Sequence, residues 1–495
     1  MRDIEVITTR WSSNDPANEF TVYDQTTGKP ARIIKGSGID EVNAAIDKAY
    51  DTYRNVWRHV PAPERGRLMI ECAELLELHA DELAELESIE HGKPVGQAMG
   101  DVRDCINHFK VFGGLCLSDM PSHTHDAGNI INISTIEPYG VVAGICPFNW
   151  PALHAGAKLA PAIAVGNCMV IKPPEQDPSV IMRICDLIST ILPEGVVECV
   201  AGVGAAGAAL STNRKVRMLS FTGSPNTGRA VSRSAADNLI PMLMELGGKN
   251  ALIIFEDCDI KQAIRDIIDG AFFNQGEACT AASRILIQDT VYDQIVPTVL
   301  KAVPKLKVGL SLDPTTHVGP IVSRKQQQSI LNYINIGVQE GATIAAQGTV
   351  PTDEEHKDGF WVAPTVFTDV TPDMRIAKEE IFGPVTCIMK FSTYEEAIEI
   401  ANGTDFGLVC GVYSKDFEKC WKVSRDVDAG GFFINHYNRA SILGAPFGGV
   451  KDSGYGRERY VDTLREFGTV KTMKFKTGLS PIPQWFAVDE VLSDL

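Results

Sequence analysis

A chain of 495 residues is too long for a single hydrophobic core and is expected to divide into two or three domains. With 44% apolar and 22% charged residues it has the composition of an ordinary globular protein, and no low-complexity tract or internal repeat is visible. The formal net charge of −17 argues against nucleic acid or an anionic membrane as the main partner, because both require a basic face.

In chain order, residues 41–58 and 63–90 read as amphipathic helices, with Pro61 and Pro63 marking the break between them. A buried strand follows at Val141–Ile145, then a helix over 151–165, a strand at 168–172 and a helix over 177–192. Strand 196–201, helix 205–211, strand 217–222 and helix 225–236 continue the rhythm. A second set starts at Ala251-Leu252-Ile253-Ile254-Phe255 and runs to about Ile434. Short β-branched runs alternating with helices are the pattern of parallel βαβ units. The expected fold class is therefore α/β, with two parallel-sheet βαβ domains joined near residue 250 and an active site in the crevice between them.

No apolar run approaches the ~20 residues needed to span a bilayer, and Met1-Arg2-Asp3-Ile4-Glu5 lacks the apolar core of a signal peptide. Ser493-Asp494-Leu495 differs from the peroxisomal Ser-Lys-Leu signal by its acidic middle residue, so a cytoplasmic location is expected. The 12 cysteines show no Cys-x-x-Cys spacing, which suggests reduced thiols and neither a disulfide framework nor a metal site. Most, such as Cys168, lie in apolar runs and read as small core residues.

Cys279 differs. It sits in Phe273-Asn274-Gln275-Gly276-Glu277-Ala278-Cys279-Thr280, where glycine and polar neighbours imply a turn that opens a new element. Upstream, Glu245 occupies Met244-Glu245-Leu246-Gly247-Gly248-Lys249. A soft nucleophile and a separate general base are the two groups needed to make a thioester and then hydrolyse it. Cys146-Pro147-Phe148-Asn149-Trp150-Pro151 adds an amide donor for an oxyanion. With these runs the sequence resembles the NAD(P)-dependent aldehyde dehydrogenase superfamily over nearly its whole length. The presence of Glu245 is similar to the hydrolytic branch, since coenzyme A-acylating members commonly lack this carboxylate.

The resemblance implies a Rossmann-like cofactor domain from residues 1–123 and 138–249 and a catalytic domain from 250–434. It further implies a small β-flap for oligomerisation and a C-terminal tail from 124–137 and 467–495, with 435–466 forming an active-site loop that returns to the cofactor domain. The implied reaction is oxidation of an aldehyde to its carboxylic acid with NAD(P)+. Cys279 would attack the aldehyde, Asn149 and the Cys279 N–H would hold the oxyanion, and Glu245 would activate water against the resulting thioester. Lys158, Gly247, Arg284 and the run 446–458 match positions expected to support the site without doing its chemistry.

Gly202-Val203-Gly204-Ala205-Ala206-Gly207 fits the G-x-G-x-x-G fingerprint, but no acidic residue at a convincing strand end about twenty residues later completes it, and tight turns explain it as well. By resemblance, Gly204 lies near the adenine, and Gly223, Ser224 and Gly228 bring a helix N-terminus to the pyrophosphate. Lys172 and Glu175 would bind the adenosine ribose. A carboxylate there repels a 2′-phosphate by about 4 kcal/mol at ~4 Å and an effective dielectric of ~20, which favours NAD over NADP, although side-chain rotation can relieve it. Glu380 matches the carboxylate to the nicotinamide ribose, and Phe382 the aromatic residue beside that end of the cofactor.

The substrate pocket is expected to draw on His154, Ala157, Ala278, Thr280 and Arg439. Small Ala157, where many relatives carry an aromatic residue, suggests room for a bulky aldehyde. Two alternatives stay open: a semialdehyde dehydrogenase with Arg439 as carboxylate clamp, and a non-catalytic structural descendant, which would not need Cys279, Glu245 and Asn149 together. The expected partners are a small-molecule aldehyde and further copies of the chain in a homodimer or homotetramer, with no nucleic acid and no membrane. The tail from Leu479 to Leu495, with Pro481, Pro483, Trp485 and Phe486, is expected to pack across a neighbouring subunit.

Overall fold

Strands in which every residue is buried need cover on both faces, and Val141–Ile145 and Cys168–Lys172 are buried throughout. The computed structural model, which describes residues 4–118, 120, 122–437, 443–459, 461–482 and 485–493, places them side by side and parallel in a six-stranded sheet. Its order is Gly454–Tyr455, Met242–Glu245, Val216–Thr222, Val141–Ile145, Cys168–Lys172 and Val197–Cys199. All pairs are parallel except the first, where Gly454 faces Glu245 in antiparallel register. The helix Pro151–Val165 is buried at every residue, and its small Gly156 lets Cys105 of the helix Val95–Ser118 approach closely. A Cβ at Gly156 would lie 2.6 Å from the Cys105 Cα.

The second half forms a seven-stranded sheet, ordered Thr343–Gln347, Thr365–Thr368, Val385–Phe391, Arg284–Gln288, Ala251–Ile254, Val409–Tyr413 and Gly431–Ile434. Only its first pair is antiparallel. Separate hydrophobic clusters fill the two faces of this sheet. The fold class is thus α/β with parallel sheets. Ser122–Asp126, Ile130–Pro138 and Gly468–Lys476 make a third, antiparallel sheet in which Gly468 faces Pro138 and Lys476 faces Ile130. Among the described residues, no helix is long and apolar enough to cross a membrane.

Several local expectations change. The helix expected over 63–90 is two helices, Ala62–Leu78 and Ala80–His91, because His79 leaves helical geometry at ψ 10°. Its imidazole lies 2.7 Å from Glu82, one turn into the second helix. The helix expected over 177–192 covers only Ser179–Ile188, since Pro178 disfavours helix at Asp177 and a turn follows Ser189. An N-terminal sheet of Glu5–Ile7, Glu19–Tyr23 and Pro30–Lys35 and the 24-residue helix Val95–Ser118 are additional to the elements expected from sequence. Pro483 lies outside the described residues, and a short helix, Phe486–Leu492, ends the described tail.

Candidate active site

The turn that carries Cys279 is strained. Asn274, Gln275 and Gly276 adopt φ of 54°, 55° and 68° in succession, and a left-handed residue other than glycine costs about 1–3 kcal/mol. Neighbours impose the shape. The Asn274 N–H donates to Gln97 Oε1 at 2.8 Å, and its side-chain amide donates to the carbonyls of Asn149 at 3.0 Å and Glu277 at 2.9 Å. Gly276 is fixed by proximity, since a Cβ there would fall 2.1 Å from the Gly383 carbonyl oxygen. Cys279 emerges half-buried beside Trp150, Leu153, Ala278 and Ala281.

The Glu245 turn meets this loop directly. A Cβ on Gly248 would stand 2.4 Å from the Cys279 carbonyl oxygen, which accepts from Asn250 Nδ2 at 2.8 Å. Glu245 ends its strand held on both sides, by Thr222 in parallel register and by Gly454 in antiparallel register. Beyond it, Ser453 Oγ donates to Gly247 O at 2.7 Å while accepting from Gly407 N at 3.0 Å. The 446–458 run therefore serves as a tie between the Glu245 turn and the second half of the molecule. Glu245 itself is 3% exposed, and neither carboxyl oxygen has a hydrogen-bond partner among the described residues. Burial and, next, the Glu458 carboxylate push it well above the usual carboxylate range, opposed by Lys158, Arg457 and Arg459. Lys158 Nζ is buried, donating to Ser220 Oγ at 2.9 Å and Thr222 Oγ1 at 2.8 Å and pairing with Glu458 at 3.2 Å. Burial also pushes the Cys279 thiol up, reinforced by the nearby carboxylates of Glu380 and Glu245.

A cavity of about 230 Å³ opens in front of the thiol, lined by Asn149, Thr222, Gly223, Ser224, Gly247, Cys279, Glu380 and Phe382. Glu380 accepts from the Gly248 N–H at 2.9 Å and lies against Gly247, where a Cβ would be 2.1 Å from Oε2. Burial lifts its carboxyl to about 7, moderated by the Gly248 N–H and Lys249. Phe382 sits at φ 57° with its ring edge-on to Phe148, centroids 5.6 Å apart. Ser224 lines the cavity and caps the helix Pro225–Ala236, its side chain accepting from the Thr227 N–H. Gly228 lets that helix press on the Glu245 strand, because a Cβ would come within 2.8 Å of Leu246.

Lys172, Glu175 and Gly204 stand off this cavity along the same row of strand ends. Lys172 is buried, 3.7 Å from Glu175, and its stem passes 3.9 Å from the place a Cβ would take on Gly207. Burial lowers the Lys172 ammonium, partly offset by Glu175. In sheet order the ends run Lys172, Ile145, Thr222, Glu245, a path on which a dinucleotide can lie outside the carboxyl ends of parallel strands. The helix start at Ser224 and the close glycines fit such a ligand.

The opposite side of Cys279 differs from expectation. A second cavity of about 360 Å³ is lined by Trp150, Leu153, Phe273, Thr280, Phe447 and Arg459, with Asp101 and Asp104. Thr280 lines this cavity, and Ala278 packs into the small apolar cluster beside the thiol. His154 and Ala157, expected at the entrance, are 5% and 1% exposed and line neither cavity. Trp150 and Leu153 share a helical face, and His154 lies one residue, or ~100°, further round. Both His154 ring nitrogens lack hydrogen-bond partners among the described residues, and burial holds the ring well below its usual pKa, hence neutral. Arg439 lies outside the described residues. Sequence reasoning missed Arg459 and Lys93, and placed Phe447 only within the supporting run 446–458.

A family profile, "Aldehyde dehydrogenase family", matches residues 11–473. The chain is 47% identical over 477 residues to aldehyde dehydrogenase citD of Monascus ruber, covering 96% of this chain and 95% of the relative. It is 38% identical over 476 residues to human (Homo sapiens) retinal dehydrogenase 2, covering 95% and 91%. The structure superposes on betaine aldehyde dehydrogenase from Staphylococcus aureus in complex with NAD+ with a TM-score of 0.92 and 33% identity, over 96% of this chain and 95% of that one. The chain belongs to the aldehyde dehydrogenase family, and its activity is the nicotinamide-dependent oxidation of an aldehyde to a carboxylic acid.

Proposed function

We propose that Cys279 is the nucleophile, Asn149 the oxyanion donor and Glu245 the base that activates water. The observation that carries this reading is the interlock of the Gly248 turn with the Cys279 loop at one end of a cavity that Asn149 also lines. The sulfur adds to the aldehyde carbon, and the negative charge formed on oxygen is received by the Asn149 amide and the Cys279 N–H; one such donor is worth about 2.7–4 kcal/mol. When bound, NAD+ would supply a positive charge and the acceptor for the hydride. Glu245, its carboxyl raised by burial, then takes a proton from water as the water adds to the thioester. The carbon–sulfur bond breaks, acid is released and Cys279 is regenerated.

NAD is the proposed preferred cofactor, with Lys172 and Glu175 on the adenosine ribose, Gly223, Ser224 and Gly228 at the pyrophosphate turn, Gly204 toward the adenine, and Glu380 and Phe382 at the nicotinamide end. The three aromatic rings of Trp150, Phe273 and Phe447 support an aromatic aldehyde as substrate, with Asp101, Asp104 and Arg459 adding polar groups to the same cavity. The antiparallel flap exposes Val470, Met473 and Phe475 on one strand, which supports pairing with a second copy in a homodimer or homotetramer. NADH formation across an aldehyde panel with NAD and NADP tests the reading. In Glu245→Gln enzyme one NADH per site should appear rapidly before turnover stalls; normal steady turnover would exclude Glu245 as the base.

A further inference from the structure

The Asn149 backbone carbonyl receives two buried donors, one from each half of the molecule. Lys93 Nζ donates to it at 2.8 Å and Asn274 Nδ2 at 3.0 Å, which occupies both of its lone pairs. Lys93 is fully buried, and its ammonium also donates to Glu87 Oε1 at 2.8 Å and to Asp101, so that three protons meet three acceptors. The other oxygen of Glu87 accepts from the Ala152 N–H at 3.1 Å, in the first turn of the helix that follows Asn149. The Glu87–Lys93 pair thus grips the 149–152 segment at both ends. From the opposite side, the Asn274 amide ties the same carbonyl to the Glu277 carbonyl, two residues before Cys279.

We propose that Lys93 and Asn274 are positioning residues that set the Asn149 amide against the Cys279 sulfur, making the oxyanion site a product of contacts across the two halves. The inference rests on the reading of Asn149 as oxyanion donor. Fixing a carbonyl fixes the peptide plane and therefore the direction of the attached side chain, leaving Asn149 only its own rotamers to explore. A buried ion pair is a poor way to add stability, and specification of one geometry is the use such groups serve best. The strained Asn274 backbone has the same explanation: its left-handed conformation is what lets one amide reach both carbonyls.

The test uses p-nitrophenyl acetate with enzyme in excess, so that nitrophenolate release reads acylation of Cys279 whatever the physiological aldehyde. Sulfur bonds the acetyl carbon, the ester C–O bond breaks, and nitrophenolate departs with the electron pair. In parallel, alkylation of Cys279 by iodoacetamide, followed by peptide mass spectrometry, reads thiol reactivity in a reaction that forms no oxyanion. Asn274→Gly removes the donor while retaining a residue at ease with positive φ. Asn274→Gly and Lys93→Met should each slow acylation about 10- to 100-fold while alkylation stays within about twofold. In an Asn149→Ala background, itself slowed at least about 100-fold, Asn274→Gly should add less than about twofold.

Wild-type acylation in Asn274→Gly, an equal further loss on top of Asn149→Ala, or a parallel fall in alkylation would each overturn the proposal. If Lys93→Met does not fold, the Asn274 series decides alone. Normal acylation in Asn149→Ala would instead remove Asn149 from the oxyanion role, a separate failure that takes this inference with it.

Discussion

The two sides of Cys279 are built by different means. In front, glycine backbone takes part in the cavity wall, at Gly223 and Gly247 beside the helix cap Ser224, with the Glu380 carboxyl laid against Gly247 and the side chains of Phe148, Gln326 and Phe382 completing it. Behind, the wall is side chains delivered from distant segments, with Trp150 and Leu153 from one helix and its cap, Phe273 and Thr280 from the Cys279 loop, and Phe447 and Arg459 from the last stretch of chain. A backbone-built surface tolerates almost no substitution but reports its identity in short glycine-containing runs. A side-chain surface can be retuned one residue at a time without disturbing the fold.

The largest effect is expected where the two sides meet. Cys279→Ala should abolish NADH formation while NAD affinity, followed by cofactor fluorescence, stays within about twofold, because the binding surface is not made by the sulfur. Glu245→Gln should lower steady turnover by about 10²–10⁴-fold and leave the first NADH burst in place. The pH profile sharpens the assignment. Glu245 is held well above the ordinary carboxylate range, and the proposed base must act as its anion, so deacylation should weaken as pH falls through that raised pKa, and this acid limb should vanish in Glu245→Gln. Lys158 opposes the upward shift and pairs with Glu458, so Lys158→Met should move the limb to higher pH. Breaking that buried pair should also cost about 3–5 kcal/mol of stability, read by denaturant unfolding. An acid limb that stayed put would detach Lys158 from the base.

On the cofactor side, Gly247→Ala forces a methyl into the place of Glu380 Oε2. The KM for NAD should rise about tenfold through displacement of that carboxyl, with a smaller change in the KM for aldehyde. Equal rises in both would mean that the turn as a whole had shifted, and the contrast between the two sides would fail at that point.

What is legible in the amino-acid sequence follows the same division. The strands Val141–Ile145 and Cys168–Lys172, and the turns at Gly223 and Gly247, can be read because burial on both faces and close backbone approach leave a composition signal over consecutive residues. The break at His79 cannot be read, since an Ala-, Leu- and Glu-rich run is consistent with one helix, and the interruption lies in a single residue's backbone angle. Lys93 and Arg459 are illegible for another reason. Their roles come from partners 56 residues away, in the case of Asn149, or from a cavity assembled by tertiary contacts. His154, expected in the substrate pocket, lies off it because the stripe that lines the cavity runs through Trp150 and Leu153.

That last correction yields the smallest expected effect and a clean one. Leu153→Ala opens the substrate side and should raise the KM for an aromatic aldehyde several-fold, whereas His154→Leu should leave it unchanged, since the ring touches neither cavity. A neutral imidazole whose two nitrogens have no hydrogen-bond partner among the described residues has lost its hydration without recompense. An apolar side chain of similar bulk removes that penalty, so His154→Leu should be neutral or stabilising by about 1–2 kcal/mol in denaturant unfolding. Destabilisation of that size, or an altered aldehyde preference, would show that the ring has a hydrogen-bond partner or reaches the substrate, and the boundary between core and pocket along this helix would have to move by one residue.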